Sequence, residues 1–248
     1  MELRTIPYSA NSAYANIATD HALLESVAKG NSYMVLRLYS WKPSAVSVGR
    51  FQKMQKEINL ERCRFLGVDV ARRITGGGVA YHNAEGVISY SIIAKEGELP
   101  EGIQRCYAYS TSAIKDALSS LGVRAEPSPI NDLLVDGKVI SENTQTRREG
   151  AVLLQGTIFY NVDIKKMLSV IKVSNNEISE EMVKSAAERI TDVQSNSHAS
   201  INELREALFS SFTMGRAWQE KPLTDEEKGR SLELEETVYR NDEWNFDR

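Results

Sequence analysis

The sequence predicts an α+β fold in which a mixed β-sheet is flanked by helices. Strand patterns dominate residues 33–160, whereas the pattern from residue 164 onward is helical. Asp136-Gly137, set between two apolar runs, is a strong signal for a β-hairpin. The chain has 248 residues, 42% of them hydrophobic, which is ordinary for one large domain with an ample core. We therefore expect a single domain over residues 1–248.

The first half of the chain supplies most of the predicted sheet. A helix is expected over residues 10–28, capped by Asn11 or Ser12 and ended at Gly30-Asn31. A second, short helix is expected at residues 60–66. Alternating apolar residues predict the following strands: 33–39, 45–48, 68–72 and 86–94.

The second half begins with a helix and a hairpin and then becomes helical. Apolar spacing predicts a helix over residues 106–121, and strands follow at 132–135, 138–141 and 151–160. The later helices are expected at residues 164–170, 179–189, 201–212 and 224–239. Ser200 caps the third of these, with Glu203 at capping-box spacing.

Charge and cysteine content exclude several classes of protein. The net charge of −4 gives no basic excess for nucleic acid or an anionic membrane. The two cysteines, Cys63 and Cys106, show neither zinc-ligand spacing nor a disulfide framework. No signal core or membrane-spanning run is apparent. We expect a cytoplasmic protein with no nucleic-acid or membrane partner.

The strongest chemical signal is the run from Arg72 to His82, in which two arginines lead into Gly76-Gly77-Gly78. Glycines let a ligand approach the backbone, and successive N–H groups can form a nest for an anion. Arg72 and Arg73 add planar donors suited to carboxylate or phosphate. The run fits neither the P-loop nor the dinucleotide-binding pattern. A glycine turn beside solvated arginines, with a structural His82, is the simpler alternative.

Two other features have both a chemical and a structural interpretation. Asn131-Asp132 before a strand is either turn chemistry or a carboxylate that holds a metal or a ligand donor. Cys106 has no nearby base within its predicted helix, which favours a buried and inert thiol over a nucleophile.

Four blocks together resemble the catalytic domain of lipoate–protein ligases, in the biotin/lipoate A/B family. Residues 71–83 are similar to the family's arginine, triple-glycine and histidine motif, and residues 46–52 to its earlier strand and glycine-arginine turn. Residues 131–138 resemble the Asn-Asp strand and Asp-Gly-Lys turn, and residues 239–245 the Glu-Trp-Asn ending. The resemblance runs nearly end to end.

The resemblance implies the class II biotin/lipoate ligase-like fold and a two-step ligase. In such enzymes lipoate or octanoate attacks the α-phosphate of Mg²⁺·ATP, and a lysine of a carrier domain then attacks the acyl-adenylate. The implied carriers are 2-oxoacid dehydrogenase subunits and the glycine-cleavage H protein. The resemblance also implies a catalytic domain alone, without a C-terminal accessory domain, so a separate accessory subunit is a natural partner.

Carried over by position, the resemblance assigns most of the candidate site. Asp132 would also face a magnesium ion. The residues implied to hold the acyl-adenylate are Arg72, Arg73, Thr75, Gly76, Gly77, Gly78, His82, Asn131, Asp132, Val139, Gln155 and Gly156.

Departures from the family pattern fall on the two strands that should line the adenylate. The family's second lysine, which binds the phosphates and the acyl carbonyl, is Val139 here. Lys138 is one residue away and would point to the opposite face of a regular strand unless a bulge re-aims it. The family's small glycine is Glu142, its histidine further on is Gln155, and its aspartate after the histidine is Asn83.

These departures leave three hypotheses. The first is an ATP-dependent lipoate or octanoate ligase with Lys138 as the catalytic lysine. The second is a catalytically weakened paralogue that binds lipoate, an acyl-adenylate or a carrier without ligation. The third is a ligase or transferase for another acyl group, such as biotin. Residues 123–129 lack the cysteine of the octanoyl-transferase branch, which argues against that branch.

Overall fold

The computed structural model describes residues 2–172 and 178–246, so both ends of the predicted 1–248 domain lie outside the described residues. The strands are β1 (Leu3–Asn11), β2 (Met34–Trp41), β3 (Ala45–Val48), β4 (Asp69–Arg72), β5 (Val79–His82), β6 (Val87–Lys95), β7 (Glu126–Pro127), β8 (Leu133–Val135), β9 (Lys138–Arg148), β10 (Ala151–Phe159) and β11 (Trp218–Glu220). The helices are α1 (Ala13–Ala28), α2 (Met54–Glu57), α3 (Leu60–Phe65), α4 (Ile103–Ser120), α5 (Ile164–Val170), α6 (Glu180–Ala187), α7 (Val193–Asn196), α8 (Ile201–Thr213), α9 (Asp225–Leu234) and α10 (Asp242–Phe246). A π-helical turn, Glu235–Tyr239, lies between α9 and α10.

The predicted mixed sheet is confirmed. Within the described residues, the large sheet has eight strands in the order β11-β1-β2-β6-β10-β9-β8-β7. β1 runs parallel to both β2 and β11, and the remaining pairs are antiparallel. A smaller sheet has the order β4-β3-β5, with β4 parallel and β5 antiparallel to β3.

Helices cover both faces of the large sheet, so its central strands are buried on both sides. In β2, Leu36 and Leu38 belong to the core cluster that includes α4 and α8. Val35 and Tyr39, which point the other way, belong to the cluster that includes α1. This alternation follows from the two-residue period of a strand. The α1 face is the one that carries the candidate site.

The start of the chain corrects one prediction. Residues 10 and 11 end strand β1 instead of beginning the first helix, which starts at Ala13 with Ser12 as its cap. The Ser12 side chain accepts a hydrogen bond from the Ala15 backbone N–H at 3.1 Å, which satisfies one free donor of the first turn.

The small sheet positions the glycine run. β4 leads into the loop of residues 73–78 and β5 leads out of it, and both strands pair with β3. The loop is therefore held at one end of β3, facing the large sheet. Among the described helices, none is both long and apolar enough to cross a membrane.

Candidate functional site

A cavity of about 220 Å³ lies between the two sheets and collects residues from distant parts of the chain. We define its loop wall as Ser47, Arg73, Gly77, Gly78, Val79, Ala80 and His82. Its hairpin wall consists of Asn131, Asp132, Glu142, Asn143, Thr144, Gln155, Gly156 and Thr157, and its base of Tyr39 and Trp41. The structure thus brings together most of the residues that the sequence predicted for the site.

Arg73 is a fixed cation in the loop wall. Its Nη1 donates to the backbone oxygen of Ser47 at 2.9 Å, and its Nη2 donates to the carbonyls of Gly76 and Gly78 at 2.9 Å each. The buried Nε–H has no acceptor among the described residues. Burial lowers the Arg73 pKa to about 10, so the side chain stays charged at neutral pH.

Two of the three glycines, Gly76 and Gly78, have open space where a side chain would begin, whereas a Cβ at Gly77 would lie 2.9 Å from Arg73 Nη2. A Cβ added at Gly76 or Gly78 would meet no atom within 4 Å, so internal packing does not require glycine there. Gly77 has φ +90°, a conformation that other residues rarely adopt. Within the described part of the chain, none of the three amide N–H groups donates a hydrogen bond. The loop therefore has free donors of the kind that an anion nest uses, and its ligand-binding role stays a prediction.

The loop is also locked against its neighbour. A Cβ built at Gly49 would lie 1.9 Å from the Gly77 carbonyl oxygen, so the turn after β3 touches the glycine loop directly. The Gly49 N–H donates to the Gly78 carbonyl at 3.0 Å.

His82 lines the cavity as a neutral ring. It stacks on Trp41 with ring centroids 3.9 Å apart and an interplanar angle of 13°. Its Nε2 is 2.9 Å from the Ser47 hydroxyl, and its Nδ1 is 3.4 Å from the Thr157 hydroxyl. Burial, with Arg73 as the second cause, lowers the His82 pKa to about 3. His82 therefore contributes a flat, uncharged surface and orientable polar atoms.

Asn131 fixes the hairpin wall through paired amides. The Asn143 side chain donates to the Asn131 carbonyl at 2.7 Å, and the Asn131 side chain donates to the Asn143 carbonyl. Tyr90 donates its hydroxyl to Asn143 Oδ1 at 2.6 Å. These bonds hold Asn131 and the following Asp132 against β9, at the mouth of the cavity.

Two carboxylates, from Asp132 and Glu142, face the same cavity. Burial raises the pKa of both, and the Asn143 backbone N–H partly offsets this at Asp132. Glu142 reaches a pKa of about 7 because of burial first and the Asp132 charge second, with Arg73 acting in the opposite direction. Among described residues, no group of three or more His, Cys, Asp or Glu side chains is arranged to hold a metal ion. The metal role of Asp132 thus stays a prediction.

Lys138 does not reach the cavity. β9 contains a bulge, since Leu134 pairs with Val139 but Leu133 pairs with Ser141. The bulge lies after Lys138, and the Lys138 ammonium donates to the Ala187 carbonyl at 2.9 Å. The position of Lys138 therefore does not support the predicted catalytic role.

Val139, at the family's lysine position, is also outside the cavity lining. Its N–H donates to the Arg189 carbonyl at 2.8 Å, and its carbonyl accepts from the Thr191 N–H at 2.9 Å. The side chain packs against the core cluster on the α1 face, as Ile190 also does. Residues 189–191 thus run parallel to Val139 and pair with its backbone.

Arg72 and Thr75 lie outside the cavity lining, so their positions do not support the predicted ligand-binding role. The Arg72 guanidinium is fully buried and donates to several backbone carbonyls, including Trp244 at 3.0 Å and Asn245 at 2.7 Å. It ties the terminal Glu-Trp-Asn block to the glycine loop. Thr75 is fully buried and is not part of the cavity lining.

Neither cysteine of the chain lines the cavity. Cys63 belongs to the core of the small sheet, and Cys106 lies beside Arg147 with Sγ 3.2 Å from its guanidinium. Sequence reasoning also missed the base residues Tyr39 and Trp41, because their positions in a buried strand gave the same signal as core residues.

The sequence and the fold of this chain both match those of known proteins. Residues 12–213 match the family model of the lipoyl protein ligase A/B catalytic domain. The chain belongs to this family. Solved structures agree on the fold, which is that of class II biotin/lipoate ligase catalytic domains. The bipartite lipoate protein ligase of Thermoplasma acidophilum aligns with TM-score 0.89 and 27% identity over 99% of this chain and 96% of that one. A lipoate-protein ligase A bound with ATP aligns with TM-score 0.86 and 28% identity over 99% of both chains.

Several relatives of this chain are named octanoyltransferases instead of ligases. Octanoyltransferase LipM of Brevibacillus brevis is 30% identical over 99% of both chains. LipM of Lysinibacillus sphaericus is 31% identical over 93% of this chain and 94% of its own. The similarity therefore includes the branch that the missing cysteine at residues 123–129 argued against. The similarity does not change the fact that residues 123–129 of this chain contain no cysteine.

Proposed function

We propose that this protein transfers an octanoyl or lipoyl group to a lysine side chain of a lipoyl carrier domain. The observation that carries the proposal is the single cavity in which Arg73, the glycine loop, His82 and Asn131-Asp132 meet. Its relatives named octanoyltransferases and lipoate ligases support the same acyl chemistry. The Thermoplasma ligase is described together with its E2 lipoyl domain, which supports a carrier of that kind.

The loop wall supplies the groups that hold an acyl carbonyl. The Arg73 Nε–H and the amides of Gly77 and Gly78 are donors that lack acceptors in the described residues. Such fixed donors stabilise the negative charge that develops on the carbonyl oxygen during acyl transfer. Trp41 and the neutral His82 provide a flat surface beside them for the adjoining apolar chain.

An ATP-dependent route through an acyl-adenylate is the finer form of this proposal, favoured by the similarity to an ATP-bound ligase. The residues of this chain do not fit a triphosphate with its magnesium. In the described cavity lining the cation is Arg73, and it faces the carboxylates of Asp132 and Glu142. We derive no step through ATP. A separate accessory subunit, as in the bipartite relative, belongs to this ATP-dependent form.

Binding without transfer is the second candidate, favoured by Val139 at the lysine position. The resemblance implies a lysine at this position, whereas the Val139 side chain present here packs against the apolar core. If this candidate is right, the double substitution Val139→Lys and Glu142→Gly creates or raises ATP-dependent activity.

The decisive experiment offers an apo lipoyl domain two kinds of donor and follows its mass. One arm contains octanoate or lipoate with ATP and Mg²⁺, and the other an octanoyl thioester without ATP. We expect the domain to gain one acyl group on lysine, and Arg73→Met to abolish the gain. An unmodified domain in both arms, together with ligand binding by calorimetry, would establish the binding-only candidate instead.

A further inference from the structure

Glu142 is the one acidic side chain of β9 that opens onto the cavity. It pairs across the strands with Thr157, which also lines the cavity, whereas Ile140, the unpaired residue of the bulge, packs into the opposite core. The bulge interrupts the alternation of β9, so the side chains of Ile140 and Glu142 lie on opposite faces of the sheet. Glu142 therefore faces the site. The Glu142 carboxyl group therefore lines the same cavity as Asp132 and Arg73.

The Glu142 carboxylate is enclosed without being neutralised. Its electrostatic neighbours are the like charge of Asp132 and the opposite charge of Arg73, and no hydrogen bond contributes to its titration. Arg73 directs both terminal nitrogens to backbone carbonyls instead of to Glu142. A carboxylate in such a position exchanges its proton near neutral pH, as its pKa of about 7 indicates, and this suits general acid–base catalysis.

The donors of the cavity suit one oxyanion better than a chain of phosphates. Arg73 has a single nitrogen without an acceptor in the described residues, and the amides of Gly77 and Gly78 lie at the same wall. Lys138 donates to Ala187 outside the site. An acyl donor without a phosphate on its reactive carbonyl carbon therefore fits the charged side chains that line the cavity. A thioester has this property and is already activated, so its aminolysis needs no ATP.

We propose that Glu142 is the proton acceptor in a direct transfer of the acyl group from a thioester to the carrier lysine. This inference rests on the proposed acyl transfer and names its donor class and its base. The lysine amine attacks the thioester carbonyl carbon, so that a C–N bond forms and the carbonyl oxygen becomes negative beside Arg73. Glu142 takes a proton from the nitrogen of this adduct. The C–S bond then breaks, and the leaving thiolate receives the proton from Glu142.

Because neither cysteine of the chain lines the cavity, the proposed acyl transfer is a single displacement without an acyl-protein intermediate. Both cysteines of the chain lie outside the lining, so no thiol of the protein is placed to carry the acyl group. The donor and the carrier must then occupy the site together. We expect sequential steady-state kinetics, and no acyl group attached to the protein itself when the thioester is supplied alone.

The test compares Glu142→Gln with Glu142→Asp in octanoyl transfer from octanoyl-coenzyme A to an apo lipoyl domain. We expect Glu142→Gln to lower kcat/KM by at least about 100-fold, the usual contribution of a general base, with thioester affinity unchanged within about twofold. Glu142→Asp should retain part of the rate. The wild-type rate should rise with pH around a midpoint of about 7, and this dependence should vanish in Glu142→Gln.

The Asp132→Asn variant distinguishes a catalytic role of Glu142 from a structural one, because only a catalytic role predicts a shift in the pH profile of the rate. Removing the neighbouring charge should shift the midpoint of the pH profile to lower pH, because Asp132 raises the Glu142 pKa. A Glu142→Gln protein that transfers at the wild-type rate, a covalent acyl-protein intermediate, or modification only with free acid and ATP would each overturn this inference while leaving acyl transfer intact. A wild-type protein inactive with both donors would overturn the proposed function as well.

Discussion

The two walls of the cavity differ in how closely their residues follow the pattern that the family resemblance implies. In the loop wall, Arg73, the glycines and His82 belong to the motif on which the resemblance was based, and hydrogen bonds fix Arg73 and His82. In the hairpin wall, Asn131 and Asp132 match, but Glu142 and Gln155 do not. We therefore expect the loop wall to hold the substrate and the hairpin wall to determine the chemistry. This contrast separates substrate binding from chemistry in a way that substitutions can test.

Arg73→Met should have the largest effect, because it removes the holding cation of the loop wall. The carbonyls of Gly76 and Gly78 and the backbone oxygen of Ser47 would lose their donor in a buried place. We expect the free energy of unfolding in urea to fall by roughly 3–5 kcal/mol, the usual cost of breaking a buried charged network, and octanoyl-ligand binding to be lost. The exposed Arg105→Met should change stability by less than about 0.5 kcal/mol. Equal effects of the two would contradict the structural role of Arg73.

Glu142→Gln should stabilise the protein at neutral and alkaline pH. The folded-state pKa of Glu142 is raised to about 7 from 4.5, so the folded state binds more protons than the unfolded state between these values. The wild-type free energy of unfolding therefore falls as pH rises from 4.5 to 7, by up to roughly 3 kcal/mol. Urea denaturation at pH 4 and pH 8 should show the variant gaining stability relative to wild type only at pH 8. A difference that does not depend on pH would contradict the buried position of this carboxyl group.

Gly156→Ala should deform the hairpin wall. The added Cβ would lie 2.4 Å from Asn143 Oδ1 and 2.6 Å from the Glu142 carbonyl oxygen. We expect a loss of roughly 1–3 kcal/mol in thermal or urea unfolding, as for other overpacked sites. Gly78→Ala is the matched control, since its Cβ would meet no atom within 4 Å. It should leave stability nearly unchanged and weaken ligand binding measured by calorimetry; unimpaired binding would show that the loop wall does not contact the ligand.

Lys138→Ala should have the smallest effect. It removes one hydrogen bond from the ammonium to the Ala187 carbonyl, worth roughly 1–2 kcal/mol of stability, and leaves the cavity unchanged. We expect acyl transfer to the carrier to stay within about twofold of wild type. A loss of tenfold or more in the transfer assay would restore the catalytic role that the sequence predicted for this lysine.

Much of the fold could be predicted from local patterns. The bounds of β3 and α5 agree with the predictions, and the capping box of Ser200 and Glu203 is present. β11 has only three residues and β1 exposes most of its second half, so neither gave a clear alternating signal. The predicted helix over residues 224–239 divides because its last turn takes a π-helical form that periodicity does not reveal.

The site was predictable where it follows a contiguous motif and not where it depends on strand geometry. Gly77-Gly78, Asn131-Asp132 and Gln155-Gly156 all lie at the cavity. The fate of Lys138 and Val139 depends on a bulge after them and on residues 189–191, which lie about fifty positions further along the chain. No local pattern in the sequence contains that information.

The contact between Gly49 and Gly77 has a kinetic consequence for the whole site. With room for no Cβ between them, the two turns hold each other in place before any substrate arrives. A ligand that meets an already ordered loop does not need to order it, so little of its binding free energy is spent on conformational entropy. Acyl-donor binding should then follow a simple one-step time course in stopped-flow mixing. Gly49→Ala should introduce a slow second phase by forcing the two turns apart.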